Sequence, residues 1–289
     1  MPESVRREFH ANMPKQFRAH ADRASEKVTV QLLTDPWSVW CWGFEPVRRT
    51  LELRYPTVNF RFLLGGMFPT MPNPDEVGFD VERFFQQVQR NTGMHVSTRV
   101  VRDARPKSTF PACIQVHAAR ITAPEKEQHF LRLLREAAYL DGENISLEEV
   151  AVKRAEQAGI DRELFQQALY DGSAESDFEE RMEELRQNEL YAYPTLLITA
   201  QGRTTQLEGF HPLPAVLGVV EAVSGRIHPP LPDPTLEQII PKGERVATRE
   251  VSEVLGIGVE QAFEILRKQE DDGRLQRKRY ARGDFWSWV

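Results

Sequence analysis

Two apolar, β-branched runs, VTVQLL at 28–33 and VNFRFLLGG at 58–66, stand one short helix apart. The segment between them, Pro46–Tyr55, sets Val47 and Leu51 at helical spacing, with Leu53 also apolar. Strand, helix and strand joined by short links require a right-handed crossover and a parallel strand pair. That unit commits the start of the chain to an α/β sheet.

The pattern then turns helical. A proline-rich loop, MFPTMPNPDEVGF, leads into helix signals from about Val81 to Leu190. Within them Ala112, Val116 and Ala119 share a face, as do Phe130, Leu133, Leu134, Ala137 and Leu140. Helix stops are expected at Gly142, Gly159 and Gly172. Ser146 and Glu149 have capping-box spacing, and Asp161 opens a further helix. Strand signals return in YPTLLITAQG and RTTQLEGF, a hairpin turning at Gln201–Gly202, and LPAVLGVVEAVSG follows as a helix. The order βαβ, helices, ββα predicts one α/β domain over 28–225 with a helical insertion at about 75–190.

The ends read differently. Residues 1–27 carry Val5, Phe9, Met13 and Phe17 four apart, interrupted by Pro14, and are expected to form a weakly structured arm. They lack the apolar core of an export signal and are too acidic for a transit peptide. Prolines crowd 226–240, which reads as a linker. After it, 241–289 predicts two helices separated by a three-residue turn and then a hairpin, the layout of a winged helix. Glu260, Glu264, Glu270, Asp271 and Asp272 outnumber Arg267 and Lys268 on the second helix, a face that repels phosphate. The hairpin RLQRKRYAR is basic and leaves weak contact with a nucleic-acid backbone open, but protein contact or packing is the preferred role, with Trp286 and Trp288 turned inward.

The 43 acidic and 37 basic residues give a formal charge of −6, which argues against a surface that is basic throughout. No apolar run reaches the ~20 residues a membrane-spanning helix needs. Cys41 and Cys113, the two cysteines, are too few for a disulfide framework, so a reducing, cytoplasmic setting is expected. The histidines are scattered without ligand spacing, and no metal site is predicted.

Between the first strand and the first helix lies TDPWSVWCWGFEP, 34–46. It resembles the active-site segment of the DsbA-like branch of the thioredoxin superfamily. More narrowly, it is similar to that of the cytoplasmic predicted disulfide isomerases, which runs D-P-x-C-x-W-C-W/Y-x-F-x-P. Asp35, Pro36, Trp40, Cys41, Trp42, Phe44 and Pro46 match; Ser38 stands where the family has its first cysteine. AYPTLLI, 192–198, resembles the family's cis-proline loop, making Pro194 the cis-proline and Tyr193 a backbone partner for an extended substrate. The resemblance implies a thioredoxin-like fold with helices inserted between its halves. It also implies thiol–disulfide oxidoreductase or isomerase activity on a thiol- or disulfide-bearing protein.

Covalent chemistry limits that activity. A serine forms no disulfide, so no two-cysteine cycle can run across Ser38 and Cys41. Three roles stay open for Ser38: a helix N-cap, a hydroxyl that holds a glutathione thiolate as in the similar kappa-class glutathione transferases, or a relic on a binding protein. Cys41 reads either as a small buried residue or as a lone thiol activated by the helix terminus; Cys113 reads as core. Trp37, Trp40 and Trp42 line a groove or close the core. The expected site is thus Ser38 and Cys41 for chemistry, with Trp37, Trp40, Tyr193 and Pro194 for substrate. Any activity would be monothiol or glutathione-dependent. The alternative is a non-enzymatic adapter, like related cytoplasmic proteins that deliver a transcription regulator to a protease.

Overall fold

The computed structural model describes residues 28–103 and 105–289; the arm expected over 1–27 lies outside the described residues. Strand β1 (Val28–Thr34) runs parallel to β2 (Val58–Leu64), in register Val28 with Val58 through Thr34 with Leu64. Between them stand α1 (Val39–Gly43) and α2 (Glu45–Arg54). The two are nearly one helix. Pro46 has no N–H to give the Trp42 carbonyl, so the ladder breaks between Gly43 and Glu45.

The helical block follows as α3 (Pro74–Val77), α4 (Val81–Thr92), α5 (Arg99–Asp103), α6 (Phe110–Thr122), α7 (Glu127–Glu136), α8 (Glu148–Gln157), α9 (Arg162–Tyr170) and α10 (Ser173–Gln187). A π-turn, Ala137–Asp141, extends α7 and ends at Gly142 in the left-handed conformation. Asp161 caps α9 as expected, its carboxylate accepting the Leu164 N–H. The expected capping box at Ser146 does not form. The cap of α8 is Leu147, and the Ser146 hydroxyl instead accepts the Trp37 indole N–H at 3.0 Å and donates to the Ser108 carbonyl at 3.1 Å. A tertiary contact has taken the side chain that local spacing assigned to the helix end.

The chain then returns to the sheet. Strand β3 (Thr195–Ala200) pairs antiparallel with β1, and β4 (Arg203–Glu208) with β3, giving the order β2-β1-β3-β4. Helix α11 (Leu213–Ser224) covers one face, closing a core of Val30, Leu32, Phe44, Leu51, Ile198 and Val220. This is a mixed α/β, thioredoxin-like arrangement with a helical insertion.

Beyond the prolines come α12 (Leu236–Ile239), β5 (Val246–Ala247), α13 (Thr248–Leu255), α14 (Val259–Asp271), β6 (Leu275–Tyr280) and β7 (Gly283–Trp288). The small sheet has the order β5-β7-β6. Trp286 is fully buried and Trp288 half-buried, its indole donating to the Ile240 carbonyl.

The C-terminal module packs directly on α2 and α7 through buried ion pairs. Arg49 reaches Glu244 at 2.7 Å and Glu250 at 3.1 Å. Arg132 reaches Glu250 at 2.8 Å and Glu45 at 3.1 Å, and Arg135 reaches Glu45 at 2.8 Å. Arg245 closes the seam on Glu136 at 2.9 Å and Asp141 at 2.7 Å. Burial alone would raise the Glu45 carboxyl, but Arg48, Arg132 and Arg135 outweigh it and hold it at about 2.

Candidate functional site

The site is built on the turn that leaves β1. Asp35 is fully buried there, its two carboxylate oxygens accepting the Trp37 N–H at 2.7 Å and the Met67 N–H at 2.8 Å. One side chain thereby ties the start of α1 to the loop after β2. Burial raises the Asp35 carboxyl to about 6 against these lowering bonds.

Ser38 is the N-cap of α1. Its hydroxyl oxygen accepts the Cys41 N–H at 3.3 Å, and its own N–H donates to the Asp35 carbonyl at 3.0 Å. The family pattern leads one to expect an exposed side chain here, yet Ser38 is only 3% exposed. The proline-rich loop after β2 and the start of the insertion line the cavity beside it. Cys41 is 0% exposed, and burial pushes its thiol up, despite the lowering effect of Arg135. That direction is opposite to the activation a lone reactive thiol requires. Cys113 is equally buried, on α6, its thiol donating to the Gly65 carbonyl at 3.3 Å.

The tryptophans divide. Trp37 and Trp40 face a cavity of about 560 Å³. Trp42 points the other way, into the seam. Its ring stacks on Phe285 at 6.1 Å, carries the Arg132 guanidinium at 4.6 Å and donates through its indole to the His95 carbonyl at 2.8 Å. Gly43 lets α4 approach, since a Cβ there would meet Thr92 at 2.6 Å.

Trp37, Ser38, Trp40 and Tyr193 border the same cavity, whereas Cys41 and Pro194 do not. The β1–β3 register sets Leu33 opposite Thr195, so the turn holding Ser38 and the loop holding Pro194 emerge side by side from one end of the sheet. The Tyr193–Pro194 bond is cis, and Pro194 is buried. Most of the remaining wall is apolar and comes from the loop after β2 and the start of the insertion: Met67, Phe68, Val77, Phe79 and Phe84. Among the described residues Arg105 is the one charged side chain on it. Sequence reasoning treated 67–79 as a connecting loop and missed this wall. The available signal was the run of Met and Phe between prolines, unusual for a solvated loop. It also missed Asp35 as a tether, which an acid at a strand end two residues before an N–H can reveal as an Asx turn.

A family model described as thioredoxin matches residues 32–216. The ClpXP adapter protein SpxH of Halalkalibacterium halodurans is 23% identical over 265 residues, covering 88% of this chain and 87% of that one. Among solved structures, a putative protein disulfide isomerase from Nitrosomonas europaea has a TM-score of 0.58 and 21% identity, covering 68% of this chain and 97% of its own. The cytosolic disulfide reductase DsbM from Pseudomonas aeruginosa has a TM-score of 0.52 and 19% identity, covering 68% and 95%. Its structure with GSH gives 0.50 and 18%, covering 68% and 96%. Among the described residues no helix is long and apolar enough to cross a membrane.

Proposed function

From the premise that this chain belongs to the thioredoxin family, we propose that it is a non-enzymatic, protein-binding adapter. It uses the corner where its relatives do thiol chemistry as a groove for an apolar segment of a partner. The observation that carries this reading is the burial of both Ser38 and Cys41 beneath an apolar cavity that stays open. A thiol exchange needs an ionised, accessible sulfur, and Cys41 is neither. Binding needs only the cavity, with Trp37, Trp40 and Tyr193 as its aromatic edge. The full-length match also favours the adapter, since the SpxH relative aligns over 88% of the chain whereas the disulfide isomerase structure covers 68%.

The second reading is a monothiol or glutathione-dependent oxidoreductase or isomerase, with glutathione held at Ser38 and the Tyr193–Pro194 loop. It is favoured by Ser38 bordering the cavity and by the fold likeness to DsbM, whose structure was solved with GSH. Glutathione brings two carboxylates and an ammonium, and a wall with Arg105 alone offers them little.

The two readings separate in one experiment on the purified chain and its Ser38→Ala/Cys41→Ala variant. Both proteins are assayed for glutathione-driven disulfide reduction and for binding of a short, cysteine-free apolar peptide. The adapter predicts peptide binding in both and turnover in neither. Turnover that disappears in the double variant, or no peptide binding at all, overturns it.

A further inference from the structure

The cavity over Ser38 does not end at Tyr193. A second depression, of about 620 Å³, lies on the far side of that ring, and the two share Met67 and Tyr193 in their walls. The shared wall is held firmly: the Tyr193 hydroxyl donates to the Gly66 carbonyl at 3.4 Å, and the Gly66 N–H meets the Met182 sulfur at 3.2 Å. Gly66 cannot be larger, because a Cβ would come within 2.7 Å of Phe110. The two depressions thus adjoin at the cis-proline loop, and an extended chain that passes Tyr193 would span both as one trough.

Their walls differ in charge. The first is mostly apolar, and among the described residues its one charged side chain is Arg105, which is engaged with Asn73 at 3.3 Å and with the Pro72 carbonyl. The second has an apolar floor of Phe110, Ile114, Phe178 and Met182, edged by α10. Along that edge Glu175 and Glu179 stand one turn apart, both exposed, and among the described residues neither has an ion pair. Arg186, the one basic residue lining this depression, has a partner, as do other charges of α10, while Glu180, also without an ion pair among the described residues, does not line it. Glu183 pairs with Arg186 at 2.6 Å, Glu184 with Arg181, and Asp177 with Arg120 and His117. The uncompensated negative potential at this end therefore comes from Glu175 and Glu179.

We infer that the trough takes an extended polypeptide in which an apolar stretch is followed or preceded by lysine or arginine. The apolar side chains enter the cavity over Ser38, the chain passes Tyr193, and the cationic side chains meet Glu175 and Glu179. This inference rests on the binding reading above and adds the chemistry of its partner. Apolar burial supplies affinity, while the two carboxylates select charge and steer approach. A segment flanked by acids is repelled from the same end.

The test uses the full chain and three fluorescent, cysteine-free peptides with one apolar core. The first carries a Lys-Lys pair, in both terminal positions in turn, the second a Glu-Glu pair likewise, and the third is uncharged. In one of its two orders the basic peptide binds the wild type about threefold to tenfold tighter than the uncharged one, as expected of two exposed ion pairs. The gain shrinks at high salt and disappears in Glu175→Gln/Glu179→Gln, which leaves the uncharged peptide's affinity unchanged. Both glutamates are exposed and unpaired, so the variant keeps its fold. Equal binding of all three peptides, or a gain that survives the double substitution, overturns the inference while the groove reading stands. No binding of any peptide removes the groove reading and the inference with it.

Discussion

On one face of α1, Trp37, Ser38 and Trp40 border an apolar cavity with a single charged side chain among the described residues; on the other, Trp42 lies under Arg132 and Phe285 at the edge of a buried ionic seam. The seam is buried away from bulk water whereas the cavity is open to it, and their groups are matched differently. Each seam guanidinium finds carboxylates at 2.7–3.1 Å from a different part of the chain, so the corner is fixed from behind. Buried ion pairs are worth little net stability but are expensive to break. Among the described residues the cavity face has no buried ion pair; its aromatic edges are held by single hydrogen bonds, Trp37 to Ser146 and Tyr193 to Gly66, and by ring contacts of Trp40. On the adapter proposal the seam serves rigidity and the groove contact, and substitutions should separate the two.

The largest expected effect is in the seam. Glu45→Gln leaves Arg132 and Arg135 facing each other without their shared anion, and should lower the unfolding free energy by about 3–5 kcal/mol in denaturant titrations. The tryptophans sharpen the comparison. Trp42→Ala empties a fully buried, stacked position and should cost about 3–5 kcal/mol. Trp40→Ala removes a half-buried ring that touches Phe84 and Phe210; it should cost about 1–2 kcal/mol yet weaken peptide binding more than Trp42→Ala does per unit of stability lost. If both tryptophans affect binding and stability in the same proportion, the division into two faces fails.

Acid titration contrasts one carboxyl from each side. Asp35, at about 6 in the folded chain against 3.8, binds a proton the unfolded chain does not. It therefore subtracts from stability at pH 7, by ~3 kcal/mol at most, and restores it as pH falls from about 6 to 3.8. Glu45, at about 2 against 4.5, contributes fully above pH 4.5 and loses that contribution as pH falls toward 2. Denaturant midpoints followed from pH 7 to 3 should show the steep loss below 4.5 in the wild type and a shallower one in Glu45→Gln. The smallest effect is at the cap: Ser38→Ala should cost about 1 kcal/mol and leave peptide affinity unchanged.

Much of this architecture was legible locally. The β-branched runs, the Gln201–Gly202 turn, the Asp161 cap and the order βαβ, helices, ββα follow from periodicity and turn chemistry, which act over a few residues. Ser38 as N-cap belongs with them. What escaped was set by partners far away in the chain. Arg49 and Arg132 drew no assignment from the sequence, because nothing near them announces Glu244 and Glu250 some 195 and 118 positions on. Ser146 looked like a cap until Trp37, 109 residues earlier, claimed its hydroxyl. The same cause hid the burial of Ser38, since the wall above it comes from a loop whose prolines suggested only a connection.

The central claim is that the corner has lost its chemistry and kept its shape, and the ionisation of Cys41 tests it most directly. Native protein is alkylated across a pH series, and labelling at Cys41 is resolved from that at Cys113 by peptide mass. A Cys41 that resists labelling near neutrality and titrates above the ordinary thiol range of ~8.5 is the result predicted here. Rapid labelling with a midpoint near pH 7 would show a thiolate poised for exchange and would contradict the account.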